Sequence, residues 1–174
     1  MSTSQVARPA TGLTPEEYKA VFRRHPAGVA VVTFVDPLSR ELVGFTATSV
    51  ISVSAAPPIL AFSVLGTSSS WPALRHAPSV VVNFLGHREV ELSQRFATHG
   101  IDRFAGVAHR QLLTGEPVLE GALSWVRGLV LQRIPVGESH LVTVHATDSD
   151  TSRPGVPLVY HDRRYHALAP DYEI

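Results

Sequence analysis

Hydrophobic and polar positions change their pattern at Pro26. Before it, Thr14-Pro15-Glu16-Glu17 carries the signals of a helix start: Thr14 as N-cap, Pro15 at the first helical position, Glu17 closing a capping box, and Leu13 and Tyr18 placed for a hydrophobic staple. This helix should run to about His25 and stop at Pro26. After it, apolar residues fall in short runs separated by turn chemistry at Asp36-Pro37, Ala56-Pro57-Pro58 and His76-Ala77-Pro78. Strands are expected over 28–35, 42–53, 59–65, 79–85, 123–134, 140–146, 158–161 and 165–168. Two short helices interrupt them, near 70–76 and 88–99, the second with Val90, Leu92, Phe96 and Ala97 as its apolar stripe.

Runs such as Val29-Ala30-Val31-Val32 lack the alternation of a half-buried strand and call for cover on both faces. An antiparallel barrel meets that need when helices or a second subunit cover its outside. The element order predicts a mainly β domain over 13–174, centred on a barrel with flanking helices and preceded by a flexible tail over 1–12 that is rich in Ser, Thr, Pro and Ala.

Composition narrows the chemistry. A chain of 174 residues, 44% of them hydrophobic, is long enough to bury a core without disulfides or metals. Zero formal net charge leaves no global field to draw it onto nucleic acid or an anionic membrane. Cysteine is absent, which removes disulfides, thiolate metal sites and cysteine nucleophiles, so redox chemistry would fall to a cofactor. No run approaches the roughly 20 apolar residues that span a bilayer, and a cytoplasmic protein is expected. Lys19 is the only lysine; the remaining cations are arginines, whose planar forks suit phosphate.

Two segments combine small hydroxyl residues with apolar ones. Gly44 to Ser54 carries hydroxyls on consecutive positions, hence on both faces of a strand, which suits a flat ligand with a polar edge. Gly66-Thr67-Ser68-Ser69-Ser70 runs into a helix with Pro72 in its first turn, the outline of an anion site made from backbone N–H groups and hydroxyls. Ordinary β-propensity and helix capping account for the same residues equally well.

The ordered set of Phe22 to Thr33, Gly44-Phe45-Thr46-Ala47-Thr48-Ser49, Pro57-Pro58, Ser68-Ser69-Ser70-Trp71, Val82-Asn83-Phe84-Leu85, Asp102-Arg103-Phe104, Leu119-Glu120-Gly121-Ala122 and Leu158-Val159-Tyr160-His161 resembles the short-chain flavin reductase-like family. The resemblance implies a six-stranded antiparallel FMN-binding split barrel, a homodimer with flavin near the subunit interface, and hydride transfer from NADH or NADPH to FMN or FAD. It also implies release of reduced flavin to a partner flavin-dependent monooxygenase. By the same resemblance Thr46, Ala47, Thr48, Ser49 and Val50 contact the isoalloxazine, and Ser63 belongs to the flavin site. Ser68, Ser69, Ser70 and Trp71 approach the phosphate, while Arg103 and Phe104 close the site. The flavin carries the hydride chemistry, so no protein nucleophile is needed.

His140 aligns with a histidine that relatives carry in a Gly-Asp-His motif near the nicotinamide, and is the candidate catalytic residue; here Glu138 and Ser139 replace the Gly-Asp pair. A histidine that only hydrogen-bonds at a strand end fits the same position. Metal binding is not expected. His140 and His145 point to opposite faces of a strand, and His161 with His166 would meet across a turn without a third ligand. Trp71 is placed to shield a ligand or to pack, and Trp125 reads as core or dimer interface. Arg75, Arg95 and Arg103 are candidate phosphate partners or solvated surface groups. A flavin-binding redox carrier without nicotinamide turnover is the alternative, and a barrel that has lost flavin, binding haem or acting as a structural dimer, the remote one.

Overall fold

The computed structural model describes residues 12–168, so the tail expected over 1–12 lies outside the described residues except for Gly12. Helix α1 (Pro15–Phe22) begins as its capping signals predict. Thr14 Oγ1 accepts from the Glu17 amide at 3.2 Å, and the Thr14 amide donates to Glu17 Oε2 at 2.9 Å. The helix ends before His25 because the amides of Arg24 and His25 turn back to the carbonyls of Val21 and Phe22, three residues earlier. Leu13 and Tyr18 both remain more than half exposed, so the expected staple covers little surface.

Beyond α1 the chain forms β1 (Ala27–Gly28), β2 (Ala30–Val35), β3 (Leu42–Ala47), β4 (Ile51–Ala55), β5 (Pro58–Leu65), α2 (Trp71–Leu74), β6 (Ser79–Leu85), α3 (Val90–Ala97), β7 (His109–Gln111) and β8 (Pro117–Leu119). It closes with β9 (Ala122–Val136), β10 (Ser139–Asp150), β11 (Leu158–His161) and β12 (Arg164–Ala167). The strand expected over 42–53 is two strands, broken at 48–50, and the short β7–β8 pair has too few residues for its pattern to be read in advance.

One seven-stranded antiparallel sheet, in the order β3-β2-β6-β9-β10-β5-β4, dominates the molecule. Alternate side chains from six of these strands fill one interior: Ala30, Val32 and Phe34 from β2, Phe45 and Ala47 from β3, Leu60, Phe62 and Val64 from β5, Val80 and Val82 from β6, and Val142 and Val144 from β10, with Val126 and Val130 of β9 packed against them. The sheet therefore curls into the expected six-stranded barrel, and β4 extends it beyond β5. The barrel is split where β3 comes against β5 without joining it in a hydrogen-bonded ladder.

Strands β2 and β6 are buried on both faces, as their unbroken apolar runs require. On the outside, Val31 and Leu85 lie under Phe96 of α3 and Leu158 of β11, while Val81 and Trp125 lie under Val118 of β8. Trp125 is thus core. Buried polar groups lock these layers together. Asn83 Nδ2 donates to Val31 O and Thr33 Oγ1, both at 3.0 Å, and its Oδ1 accepts from the Leu119 amide at 2.9 Å. Glu116 is buried beside the β7–β8 pair and accepts from Arg127 Nε at 3.1 Å and Nη2 at 3.0 Å, and from the hydroxyls of Ser79 and Thr114. Burial alone would raise its carboxyl pKa, but the hydrogen bonds from Arg127, Ser79 and Thr114 outweigh that and hold it at about 2.

Cover is missing on the outer face of β4, β5 and β9, where Ile51, Leu65, Ile134 and Val136 are 41–56% exposed. The register places Leu65 and Val136 on either side of Ser139, so these residues share one surface. Among the described residues, no helix is long and apolar enough to cross a membrane.

Candidate functional site

The hydroxyl-rich loop between β5 and α2 does not act as a helix N-terminus. Helix α2 is a single turn, Ser70 is in αR conformation, and its hydroxyl does not cap the helix. Three of the nearby amides are already committed: Ser68 N bonds Leu65 O and Trp71 N bonds Ser68 O, each at 3.0 Å, and Ser70 N bonds Ser68 Oγ at 3.3 Å. Positive charge comes instead from Arg103, which the fold brings onto this loop.

Arg103 donates from Nε to Thr98 O at 2.8 Å, from Nη1 to Gly44 O at 2.8 Å and Ser70 Oγ at 3.0 Å, and from Nη2 to Ser69 Oγ at 3.2 Å. Four of its five N–H donors are thereby used, and one Nη2 hydrogen has no acceptor among the described residues. Its position is set by its neighbours. Arg95 donates from Nε to Arg103 O and from Nη2 to Asp102 O, both at 2.9 Å, while Asp102 Oδ1 accepts from the amides of Phe104 and Ala105 at 3.0 and 3.2 Å. Burial lowers the Arg103 guanidinium pKa from its ordinary value, yet an arginine stays charged under such a shift.

Ser69, Ser70, Arg103 and Phe104 line one cleft of about 800 Å³, between the start of β3 and the loop after α3. Phe104 anchors the wall by meeting Phe96 edge-on, with ring centroids 5.1 Å apart. Of the other candidate phosphate partners, Arg75 turns to His76 Nε2 at 3.0 Å and Arg95 holds the loop backbone. Neither lines this cleft.

His140 and Trp71 form a second part of the site. Directly opposite Val64 in the ladder, His140 faces the barrel interior, and its ring stacks on the Trp71 indole with centroids 3.7 Å apart and planes 18° from parallel. The preceding turn is intact despite Glu138 and Ser139: Gly137 takes φ +58°, as the first central residue of a type II′ hairpin turn requires, and Glu138 is not in the left-handed region. Glu138 O also accepts from the Gly66 amide at 2.9 Å, tying this turn to the hydroxyl loop. Arg133 binds the carbonyls of Leu74, at 3.0 Å from Nε, and of Ala77, fixing the far end of α2.

The segment 46–50 is placed differently from a strand with hydroxyls on both faces. Thr46 Oγ1 donates to Ser93 O at 2.6 Å and pins α3 onto β3; Ala47 is core; and Thr48, Ser49 and Val50 leave the sheet. Ser49 Oγ accepts from the Ser63 amide at 2.9 Å and donates to Ser63 O at 3.1 Å, bridging the split in the barrel. Thr48 is exposed at this seam, and Ser68 Oγ is used inside its own loop. The expected residues therefore fall into a cleft around Arg103, a stacked pair at His140 and a seam at Ser49 and Ser63, joined by the loop from Gly66 to Trp71.

Sequence reasoning places Gly44 and Gly66 in these segments but gives neither a packing role. A Cβ on Gly44 would stand 2.6 Å from Phe96 Cε1, so glycine is what lets α3 and the Arg103 loop close on β3. The His161 and His166 rings do meet, 5.7 Å apart, and no group of three or more metal-ligating residues occurs among the described residues.

Comparison with known proteins identifies the family and the fold. The model of the flavin reductase like domain family matches residues 22–169. The NADH:FMN oxidoreductase of Rhodococcus qingshengii is 46% identical over 166 residues, covering 92% of this chain and 85% of that protein. The reductase subunit of a flavin-dependent monooxygenase from Mycobacterium tuberculosis is 29% identical, covering 91% of this chain and 85% of its own. The crystal structure of a flavin reductase domain protein from Arthrobacter sp. FB24 superimposes with a TM-score of 0.85 at 36% identity, over 92% of this chain and all of that one. With the family model matching residues 22–169 and a relative 46% identical over 92% of the chain, the chain belongs to the flavin reductase like domain family.

Proposed function

We propose that this chain is an NAD(P)H-dependent flavin reductase that moves hydride from a nicotinamide nucleotide to FMN or FAD and supplies reduced flavin to a partner monooxygenase. The observation that carries the reading is the Arg103 guanidinium, fixed by four hydrogen bonds at the wall of the cleft with one N–H to spare. A charged fork beside the Ser69 and Ser70 hydroxyls, with Phe104 as an apolar wall, fits a phosphate attached to a flat ring. When bound, the flavin supplies the hydride-accepting ring. Arg103, Ser69 and Ser70 hold its phosphate, the backbone at 46–50 and Ser63 offer small polar groups to the ring, and His140 orients the nicotinamide from the barrel end.

The name of the Mycobacterium tuberculosis relative supports delivery of reduced flavin to a separate oxygenase. The exposed apolar surface of Ile51, Leu65, Ile134 and Val136 supports a homodimer, since among the described residues α3, β7–β8 and β11–β12 pack elsewhere on the barrel and leave it bare. Steady-state oxidation of NADH and NADPH with FMN, FAD and riboflavin tests the activity. Turnover well above the protein-free rate supports it; tight flavin binding without turnover leaves a redox carrier instead.

A further inference from the structure

The imidazole of His140 has an unusual environment for a residue offered to a ligand. Neither Glu138 nor Ser139 bonds it, and its Nδ1 is buried with no hydrogen-bond partner among the described residues. Trp71 covers one face of the ring at 3.7 Å. Gly66 lies beside another edge of the ring, where a Cβ would make ordinary contacts of 3.5 Å with His140 Cε1 and 3.8 Å with Nδ1. A proton on Nδ1 would be a buried N–H without an acceptor, an arrangement rarely found in native structures. The tautomer this geometry favours carries its proton on Nε2, the nitrogen that is not buried without a partner.

We propose that Trp71 is a positioning residue for the reduction: its indole holds His140 as an accessible Nε2–H donor to an acceptor oxygen of the nicotinamide nucleotide. This rests on the reading of the chain as a flavin reductase. Trp71 follows Ser69 and Ser70, whose hydroxyls bond Arg103, so one turn of chain carries both the phosphate grip and the shelf beneath the imidazole. Neither residue exchanges a proton or a covalent bond in this role.

Two measurements test it. Nitrogen NMR of the flavin-free protein, with His140 neutral, reads the tautomer without any turnover. The expected spectrum shows a protonated Nε2 and a bare Nδ1 in the wild type, and a mixture in Trp71→Leu. A protonated Nδ1 in the wild type, or an unchanged tautomer in Trp71→Leu, overturns the proposal even if the chain is a reductase. In kinetics, Trp71→Leu should raise the KM for NADH or NADPH by about tenfold, the size of one lost hydrogen bond, with the flavin KM within about twofold, and Trp71→Phe should restore it.

The replacement of His140 should matter by geometry. The amide nitrogen of His140→Gln reaches the place of Nε2 and should keep most of the nucleotide affinity, whereas His140→Asn, whose amide reaches only the place of Nδ1, should behave like His140→Ala. Trp71→Leu should add nothing in the His140→Ala background. A further loss there, or an equal rise in flavin KM, assigns Trp71 to packing alone and overturns the proposal. A wild type that oxidises no nicotinamide nucleotide refutes the reductase reading instead, and the NMR result still decides the tautomer.

Discussion

Replacing Arg103 by alanine should weaken FMN far more than riboflavin, which differs from it only in lacking the phosphate. The guanidinium has four protein hydrogen bonds, to Thr98 O, Gly44 O, Ser69 and Ser70, and one free N–H beside the cleft. A hydrogen bond to a charged group contributes about 1.5–3 kcal/mol. Loss of one to the phosphate corresponds to about 10- to 150-fold in Kd at about 1.4 kcal/mol per decade. Alanine also loosens the cradle, because Gly44 O keeps only the 3.4 Å bond from Ser70 Oγ, so both flavins lose some affinity. The informative quantity is the ratio of the two Kd values, read by quenching of flavin fluorescence in the same buffer. That ratio should collapse toward one in Arg103→Ala and recover in part in Arg103→Lys, which keeps the charge without the fork. An unchanged ratio, with both ligands weakened equally, would refute the assignment of Arg103 to the phosphate.

Other consequences concern the scaffold beneath the site. Glu116→Gln removes one partner of a buried ion pair and should destabilise the protein by about 3–5 kcal/mol in urea denaturation at neutral pH. In the wild type the Glu116 pKa is lowered on folding from 4.5 to about 2, so its contribution is complete above pH 4.5 and is lost as pH falls toward 2. That loss amounts to about 3 kcal/mol, and the part of the acid-induced drop in the urea midpoint that it causes should be missing from the variant. Gly44→Ala forces a Cβ to within 2.6 Å of Phe96 and should cost about 1–3 kcal/mol by overpacking. A smaller partner, Phe96→Leu, should recover part of it in thermal melts; no loss in Gly44→Ala would show that α3 shifts freely. Ile134→Asp should turn a dimer into monomers in sedimentation with the fold retained by circular dichroism, while a wild type that sediments as a monomer would remove the homodimer from the account.

The parts of this fold legible in advance are those whose cause is local. Strand β6 is found over the very residues expected, because Ser79 to Leu85 is an apolar run bounded by His76-Ala77-Pro78. The capping box of α1 is likewise written in four consecutive residues. The break at 48–50 is not, since Thr48, Ser49 and Val50 all suit a strand; what removes them from the sheet is a bond from Ser49 to the backbone of Ser63, 14 residues away. Charge alone does not separate Arg103 from Arg75 and Arg95, and only the family resemblance singles it out, because its deciding partners, Gly44 and Ser70, lie 59 and 33 residues distant. The anion site at the start of α2 is read from local signals alone; in the structure the amides of Ser68, Ser70 and Trp71 are spent within the turn, and the charge beside the loop comes from Arg103, on another loop. At His140 the altered motif draws attention to Glu138 and Ser139, whereas the ring stacks on Trp71, at the end of the hydroxyl loop, a contact no local pattern announces.

The central claim is most directly tested by mixing the purified chain with NADH or NADPH under anaerobic conditions, with FMN or FAD present, and following flavin bleaching against a protein-free control. Rapid bleaching that needs the protein and is slowed in His140→Ala is the predicted result. Flavin that binds but stays oxidised at the protein-free rate with both nucleotides would contradict it.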